Sequence, residues 1–300
     1  MVDCLIIGGG PAGLTAAIYA GRFGLDVVLV DAGDSRARQI SCSHNQVGFP
    51  DGISGDDLLA RMRIQASSAG ATLQGGVVTA VTRNEDFFTA TLAEGELDAR
   101  AVLLATGVTN RRPPLTDASH RSALAAGQLR YCPVCDGAEV VDQRVAVLGT
   151  GDRGFKEALF LRAHTRQVTL VAPHKHELSP EQRDTLDTIG VLVLEGPAHE
   201  FELEGELISF RCAAGRQAYQ VLYPALGSIV HSELAVSLGA KTSSDGCIEV
   251  DSHQRASVRG LYAAGDVVLG LDQISHAVGE AGVAATTIRN DLAELSPLLR

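Results

Sequence analysis

Two glycine-rich turns of the same spacing, Gly8-Gly9-Gly10-Pro11-Ala12-Gly13 and Gly149-Thr150-Gly151-Asp152-Arg153-Gly154, constrain this 300-residue chain more than any other feature. Each follows a strand pattern, at residues 3–7 and 144–148. Each opens a helical pattern, through Leu14, Ala17, Ile18 and Gly21 in one case and Phe155, Ala158 and Leu159 in the other. A second strand pattern closes each unit, at 27–30 and 167–171. Strand, glycine turn, helix and strand together mark a nucleotide-binding unit. The chain is therefore expected to be α/β, with two Rossmann-like (three-layer ββα) nucleotide-binding domains.

Between the units, short alternating stretches at 77–81 and 87–92 suggest an antiparallel ribbon, followed by a buried-looking strand at 101–104. Thr109-Asn110-Arg111-Arg112-Pro113-Pro114 then holds the chain extended and marks a boundary. Thr242-Ser243-Ser244-Asp245-Gly246 marks a second boundary, after which Leu261-Tyr262-Ala263-Ala264-Gly265-Asp266 reads as a return strand. The expected division is 1–112 plus 245–300 for the first domain, with 113–244 inserted as the second.

The first turn has the glycines needed for a tight bend and for backbone amides to approach a pyrophosphate at a helix N-terminus. Asp31, 23 positions after Gly8 and followed by Ala32, stands where a carboxylate accepts hydrogen bonds from a ribose. The second turn shares the spacing of Gly149, Gly151 and Gly154, but the same count ends at Ala172-Pro173. Its ribose carboxylate is missing, and no arginine cluster replaces it to hold a 2′-phosphate. His174, Lys175 and His176 offer weaker positive charge. A nicotinamide dinucleotide, NADPH or NADH, and a vestigial fold both remain open for this unit.

Of six cysteines, Cys132 and Cys135 form a close pair in Cys132-Pro133-Val134-Cys135-Asp136-Gly137. A structural zinc site needs four ligands, and no second pair or suitably spaced histidines accompany this one, so no metal is expected. A loop this short removes little chain entropy when closed, which disfavours a purely stabilising bridge. Reversible thiol–disulfide chemistry is the reading that remains. Asp136 is placed to exchange protons with a thiol. Cys4, Cys42, Cys212 and Cys247 are expected to be apolar fillers or inert thiols.

A formal charge of −11 disfavours nucleic acid and anionic membranes as partners. The opening Met1-Val2-Asp3-Cys4 runs straight into a strand, and no apolar stretch approaches the roughly 20 residues needed to span a bilayer. A soluble, cytoplasmic protein is expected.

Taken together, these motifs resemble the low-molecular-weight thioredoxin reductases, in the right order over nearly the whole chain. The resembling elements include both glycine turns, Gly48-Phe49-Pro50 with Gly52-Ile53-Ser54-Gly55, Ala105-Thr106-Gly107, the cysteine centre and Ala263-Ala264-Gly265-Asp266. The resemblance implies FAD in the first unit, with Gly8, Gly10, Pro11, Ala12 and Gly13 at the pyrophosphate. It also implies Asp266 near the ribityl-pyrophosphate and Gln273 and Ile274 near the flavin ring. Electrons would pass from NADPH to flavin, to the cysteine pair and on to a thioredoxin-like protein disulfide, the two domains rotating between steps in a homodimer.

Two departures stand out. The family's His-Arg-Arg run is Ala172-Pro173-His174 here, and its Arg-Gln-Ala is Asp272-Gln273-Ile274. Related flavin dithiol oxidases, which act on small-molecule dithiols, place histidine where this chain has Asp136. An oxidase, a reductase fed by a donor other than nicotinamide, and a flavoprotein redox sensor remain the alternatives. His44 and Asn45 could approach the flavin or form loop surface, and His276 reads as a satisfied histidine.

Overall fold

The computed structural model describes residues 1–296. Val2–Ile7 and Val27–Asp31 are mainly apolar and, but for the partly buried Asp3, buried on both faces, as parallel strands between two layers must be. With Thr72–Gly75 and Gly95–Leu104 they form the parallel core of the first sheet. Phe88–Leu92 and Val78–Arg83 extend it as an antiparallel ribbon.

Pro11–Arg22 is the helix that follows the first glycine turn. Proline at its first turn has no amide to leave unpaired. Its alanines, including Ala16, Ala17 and Ala20, share one core with Ala277, Ala281, Ala284 and Ala285 of the final helix, Ile274–Leu295. Small side chains let the two helices approach closely over one face of the sheet. Leu261–Ala263 pairs parallel with the end of Gly95–Leu104, so the chain does return to the first sheet after visiting a second one.

That second sheet is wholly parallel, in the order Leu192–Leu194, Val168–Val171, Val145–Gly149, Val221–Ala225. Helix Gly151–Arg162 follows its glycine turn, and a three-stranded antiparallel sheet, His199–Glu204, Leu207–Cys212 and Gly215–Tyr219, covers one side. A two-stranded antiparallel link, Val108–Asn110 with Ser228–Val230, joins the halves. Ala235 is buried in the core of the first sheet beside Val78 and Val81. The polypeptide is thus back against the first sheet before the Thr242–Gly246 segment expected to mark its return. The cause is a helix of one turn, Glu233–Ser237, too short for its sequence period to announce it.

Candidate active site

A cavity of about 480 Å³ lies beyond the C-terminal ends of the central strands of the first sheet, where open α/β sheets bind ligands. Its walls are the Gly8–Ala12 turn, Asp31 and Ala32, the Ala105-Thr106-Gly107 return, Gly265-Asp266, and Gln273-Ile274. Gly13 stands just behind this wall. A Cβ at position 13 would collide with the carbonyl oxygen of Gly8, and Gly8 itself has φ +112°. The close backbone approach therefore depends on glycine at both places. No side chain caps the helix that follows, and its first turn carries no acid, so its amides face the cavity without a competing anion.

Asp31 is buried. One of its oxygens accepts hydrogen bonds from the amides of Gly9 and Gly33, both at 3.1 Å, and the other meets the Arg63 guanidinium. Burial pushes its pKa up, but the hydrogen bonds from Arg63, Gly33 and Gly9 prevail and the net direction is down. The carboxylate is held ionised and oriented, with lone pairs left for a ribose. Across the cavity, burial and the neighbouring Asp272 push the Asp266 carboxyl up, against the guanidinium of Arg36. Arg36 Nη1 lies 2.9 Å from both Asp266 and Asp272. This cradle fits FAD: a glycine turn that admits a pyrophosphate, an oriented carboxylate for the adenosine ribose, and a long cavity leading away from them.

At its far end the cavity meets Cys132 and Cys135, which are disulfide-bonded. Cys132 caps the short helix Pro133–Asp136, its sulfur accepting the amide of Cys135 at 3.2 Å. The Gln273 amide nitrogen lies 3.3 Å from the Cys132 sulfur and 3.5 Å from that of Cys135. Asn45, which does not line the cavity, donates to Gln273 Oε1 at 3.2 Å and to the Val134 carbonyl at 3.4 Å. Behind the pair, Tyr223 donates its hydroxyl to Asp136 Oδ1 at 2.7 Å, and Arg130 Nη1 stands 3.4 Å from Oδ2. Burial pushes the Asp136 carboxyl up despite both donors. An acid whose pKa is raised by burial is better matched to proton exchange with a thiol than an exposed carboxyl is.

The second glycine turn looks different. Thr150 Oγ accepts the Glu177 amide at 2.7 Å and donates to the Lys175 carbonyl at 3.3 Å, which draws the 175–177 loop over the turn. The Glu177 carboxylate then stands 3.9 Å from the position of a Cβ on Gly151, and Asp152 occupies the first turn of the helix. Gly149 and Gly154 pack against each other and line no part of the flavin cavity. Asp152 is taken up by Gln182 Nε2 at 2.6 Å, so a pyrophosphate seated here would meet the Glu177 carboxylate, and position 172 gives its ribose no carboxylate of the kind Asp31 supplies in the first unit.

The pyridine nucleotide-disulphide oxidoreductase family profile matches residues 2–281. The chain belongs to this family. Within it, the chain is a low-molecular-weight thioredoxin reductase relative and an FAD-dependent disulfide oxidoreductase. It is 30% identical to a thioredoxin reductase of Listeria innocua, with 99% of this chain and 96% of that protein aligned. It is also 30% identical to one of Streptomyces coelicolor, at 99% and 94% coverage. Among solved structures, the thioredoxin reductase of Streptococcus pyogenes superposes with a TM-score of 0.90 at 27% identity, covering 98% of this chain and 99% of that one. HlmI does so with a TM-score of 0.89 at 30% identity, at 98% and 93% coverage.

Several residues around this family member's disulfide carry no sequence signal: Arg130, Glu139, Glu157 and Tyr223. Cys42, expected to be an apolar filler or inert thiol, lines the cavity with its sulfur 3.6 Å from His44 Nε2. His276 pairs with Glu280 at 3.0 Å on the final helix. Among the described residues, no cluster of metal-ligating side chains occurs and no helix is long and apolar enough to cross a membrane.

Proposed function

We propose that the chain reduces a disulfide in a thioredoxin-like protein, through the Cys132–Cys135 pair and FAD held in the first cavity. The observation that carries this reading is that the disulfide closes the end of the cavity whose other end is the glycine cradle. Bound FAD, reduced by NADPH or NADH, would supply the two electrons that convert the Cys132–Cys135 disulfide to a dithiol. Gln273 and Asn45 orient the disulfide, and Asp136 exchanges a proton with the adjacent Cys135 sulfur. The resulting dithiol attacks the partner's disulfide: one sulfur forms a mixed disulfide, and the other resolves it, re-forming the Cys132–Cys135 bond and releasing the partner as a dithiol. The same reading divides the chain into a discontinuous FAD-binding unit and an inserted unit bearing the disulfide. It places the enzyme in the cytoplasm as a homodimer.

Glu177 and Asp152 favour a second reading for the electron source. With carboxylates at the second turn, a donor other than NADPH or NADH feeds the flavin, or a small-molecule dithiol is oxidised with oxygen as the electron acceptor. Anaerobic stopped-flow mixing of FAD-loaded protein with NADPH, NADH and dithiothreitol separates the readings through flavin bleaching. Bleaching by dithiothreitol alone supports the second. Fast bleaching by either nicotinamide removes it.

A further inference from the structure

A second sulfur centre stands beside the first. We propose that Cys42, His44 and Glu139 form a thiol site that takes a low-molecular-weight disulfide by exchange, leaving a mixed disulfide on Cys42 inside the flavin cavity. His44 Nδ1 lies 2.7 Å from Glu139 Oε1. An ionised carboxylate only accepts, so Nδ1–H is the donor and Nε2 keeps its lone pair. That lone pair faces the Cys42 sulfur at 3.6 Å. Glu139 is in turn held by Arg130 Nη1 at 2.7 Å, and burial of its carboxyl is outweighed by Arg130 and His44, which bring its pKa down. Nucleophile, base and orienting acid thus stand in sequence, the arrangement that activates a thiol.

Gly52 makes room for the first two. A Cβ there would lie 2.5 Å from the Cys42 sulfur and 2.7 Å from His44 Cδ2, and its φ of +77° independently favours glycine. Cys42 lines the same cavity as Cys132 and Cys135, while the His44 side chain is half-exposed, so a small molecule can reach the sulfur from solvent.

The exchange balances without another reactant. The Cys42 S–H proton passes to His44 Nε2 as the sulfur attacks one sulfur of R–S–S–R. The S–S bond breaks, Cys42–S–S–R forms, and the departing sulfur leaves as RSH with the proton from His44. The disulfide has moved from the small molecule onto the enzyme, where it narrows access to Cys132 and Cys135 until a thiol reverses the step.

The test uses oxidised, FAD-loaded protein with 4,4′-dithiodipyridine and then oxidised glutathione, with modified peptides quantified by mass spectrometry. Cys212 and Cys247 are partly exposed like Cys42 and serve as references within the molecule, whereas Cys4 is buried. Cys42 is expected to react about tenfold faster than either reference. That is less than a fully enclosed catalytic base supplies, because His44 is half-exposed. His44→Gln is expected to bring Cys42 to the reference rate and Glu139→Gln to slow it, with an unchanged flavin spectrum reporting the fold. Cys42 reacting no faster than Cys212 and Cys247, or keeping its rate in both variants, overturns the proposal.

Discussion

Tyr223→Phe tests the environment of Asp136 most directly. Tyr223 is fully buried, and its hydroxyl, held protonated by burial and by Asp136 itself, donates to Oδ1 at 2.7 Å. A hydrogen bond to a charged group contributes roughly 1.5–3 kcal/mol. Arg130 remains at 3.4 Å from Oδ2 in the variant and compensates in part. A net loss of about 1.4 kcal/mol from the carboxylate form moves its ionisation up by about one pH unit. On the proposed function Asp136 takes a proton from the attacking thiol as a carboxylate, so the acid limb of the exchange rate is expected to move to higher pH. The assay is a single turnover of pre-reduced protein with excess oxidised thioredoxin-type protein, without oxygen, followed from about pH 5 to about pH 9. The flavin spectrum shows whether the fold survives. An acid limb that stays in place, or moves down, refutes the assignment of Asp136 as the base held by Tyr223.

Glu157, on the helix after the second glycine turn, has a buried Oε1 without a partner, and burial pushes its pKa up to about 7 from 4.5. The folded state therefore holds a proton that the unfolded chain releases near 4.5, and the favourable contribution present below that pH is lost as pH rises through about 7. Glu157→Gln should gain stability over the native protein between those limits, by at most about 3 kcal/mol, read from denaturant midpoints at acidic and alkaline pH. Gly13→Ala drives a Cβ into the carbonyl oxygen of Gly8. It should yield protein that folds less stably and copurifies with little FAD, measured as the flavin-to-protein absorbance ratio. Removing both carboxylates at the second turn, as Asp152→Asn with Glu177→Gln, relieves repulsion of about 1 kcal/mol each. NADPH binding by titration calorimetry should tighten by at least tenfold, and unchanged binding would show that these acids do not oppose it.

What the sequence made legible was local. Both glycine turns, their strands and helices, Asp31, the cysteine pair and Asp136 are recognisable because neighbouring residues set their conformation and their spacing. The rest is assembled across the fold. Tyr223 lies 87 positions from Asp136, and His44 lies 95 from Glu139, so no spacing rule links them. Cys42 and His44 are two residues apart, yet the sequence singles out only His44, beside Asn45, and reads Cys42 as an apolar filler or inert thiol. Only Glu139, arriving from the other half of the molecule, turns them from loop surface into an oriented array. The ribose carboxylate missing from the second unit could be counted at Ala172, but the carboxylate that covers its turn could not. Glu177 reaches Gly151 because Thr150 binds the loop backbone, a contact absent from any pattern of residue types.

The contacts that seat the disulfide in the cavity differ in kind from those that hold each half together. Each sheet is built on fully buried strands, such as residues 4–6 and 145–148, whose separation would expose large apolar areas. The disulfide is held instead by the Gln273 amide, by Asn45 on the Val134 carbonyl and by His44 on Glu139. These groups are partly or wholly exposed, where water replaces a lost hydrogen bond and each contributes roughly 1 kcal/mol. Among the described residues, the strand pair Val108–Asn110 and Ser228–Val230 carries the chain between the halves. Lifting the sulfurs off Gln273 therefore breaks a few solvent-accessible bonds and leaves both cores intact. On the proposed function, a small disulfide would reach a sulfur through the cavity mouth without that release, whereas a folded protein, which needs a whole surface around its own disulfide, would dock only after it. The same polar seat that holds the sulfurs at the cavity would then govern, by how easily it opens, which size of partner is served.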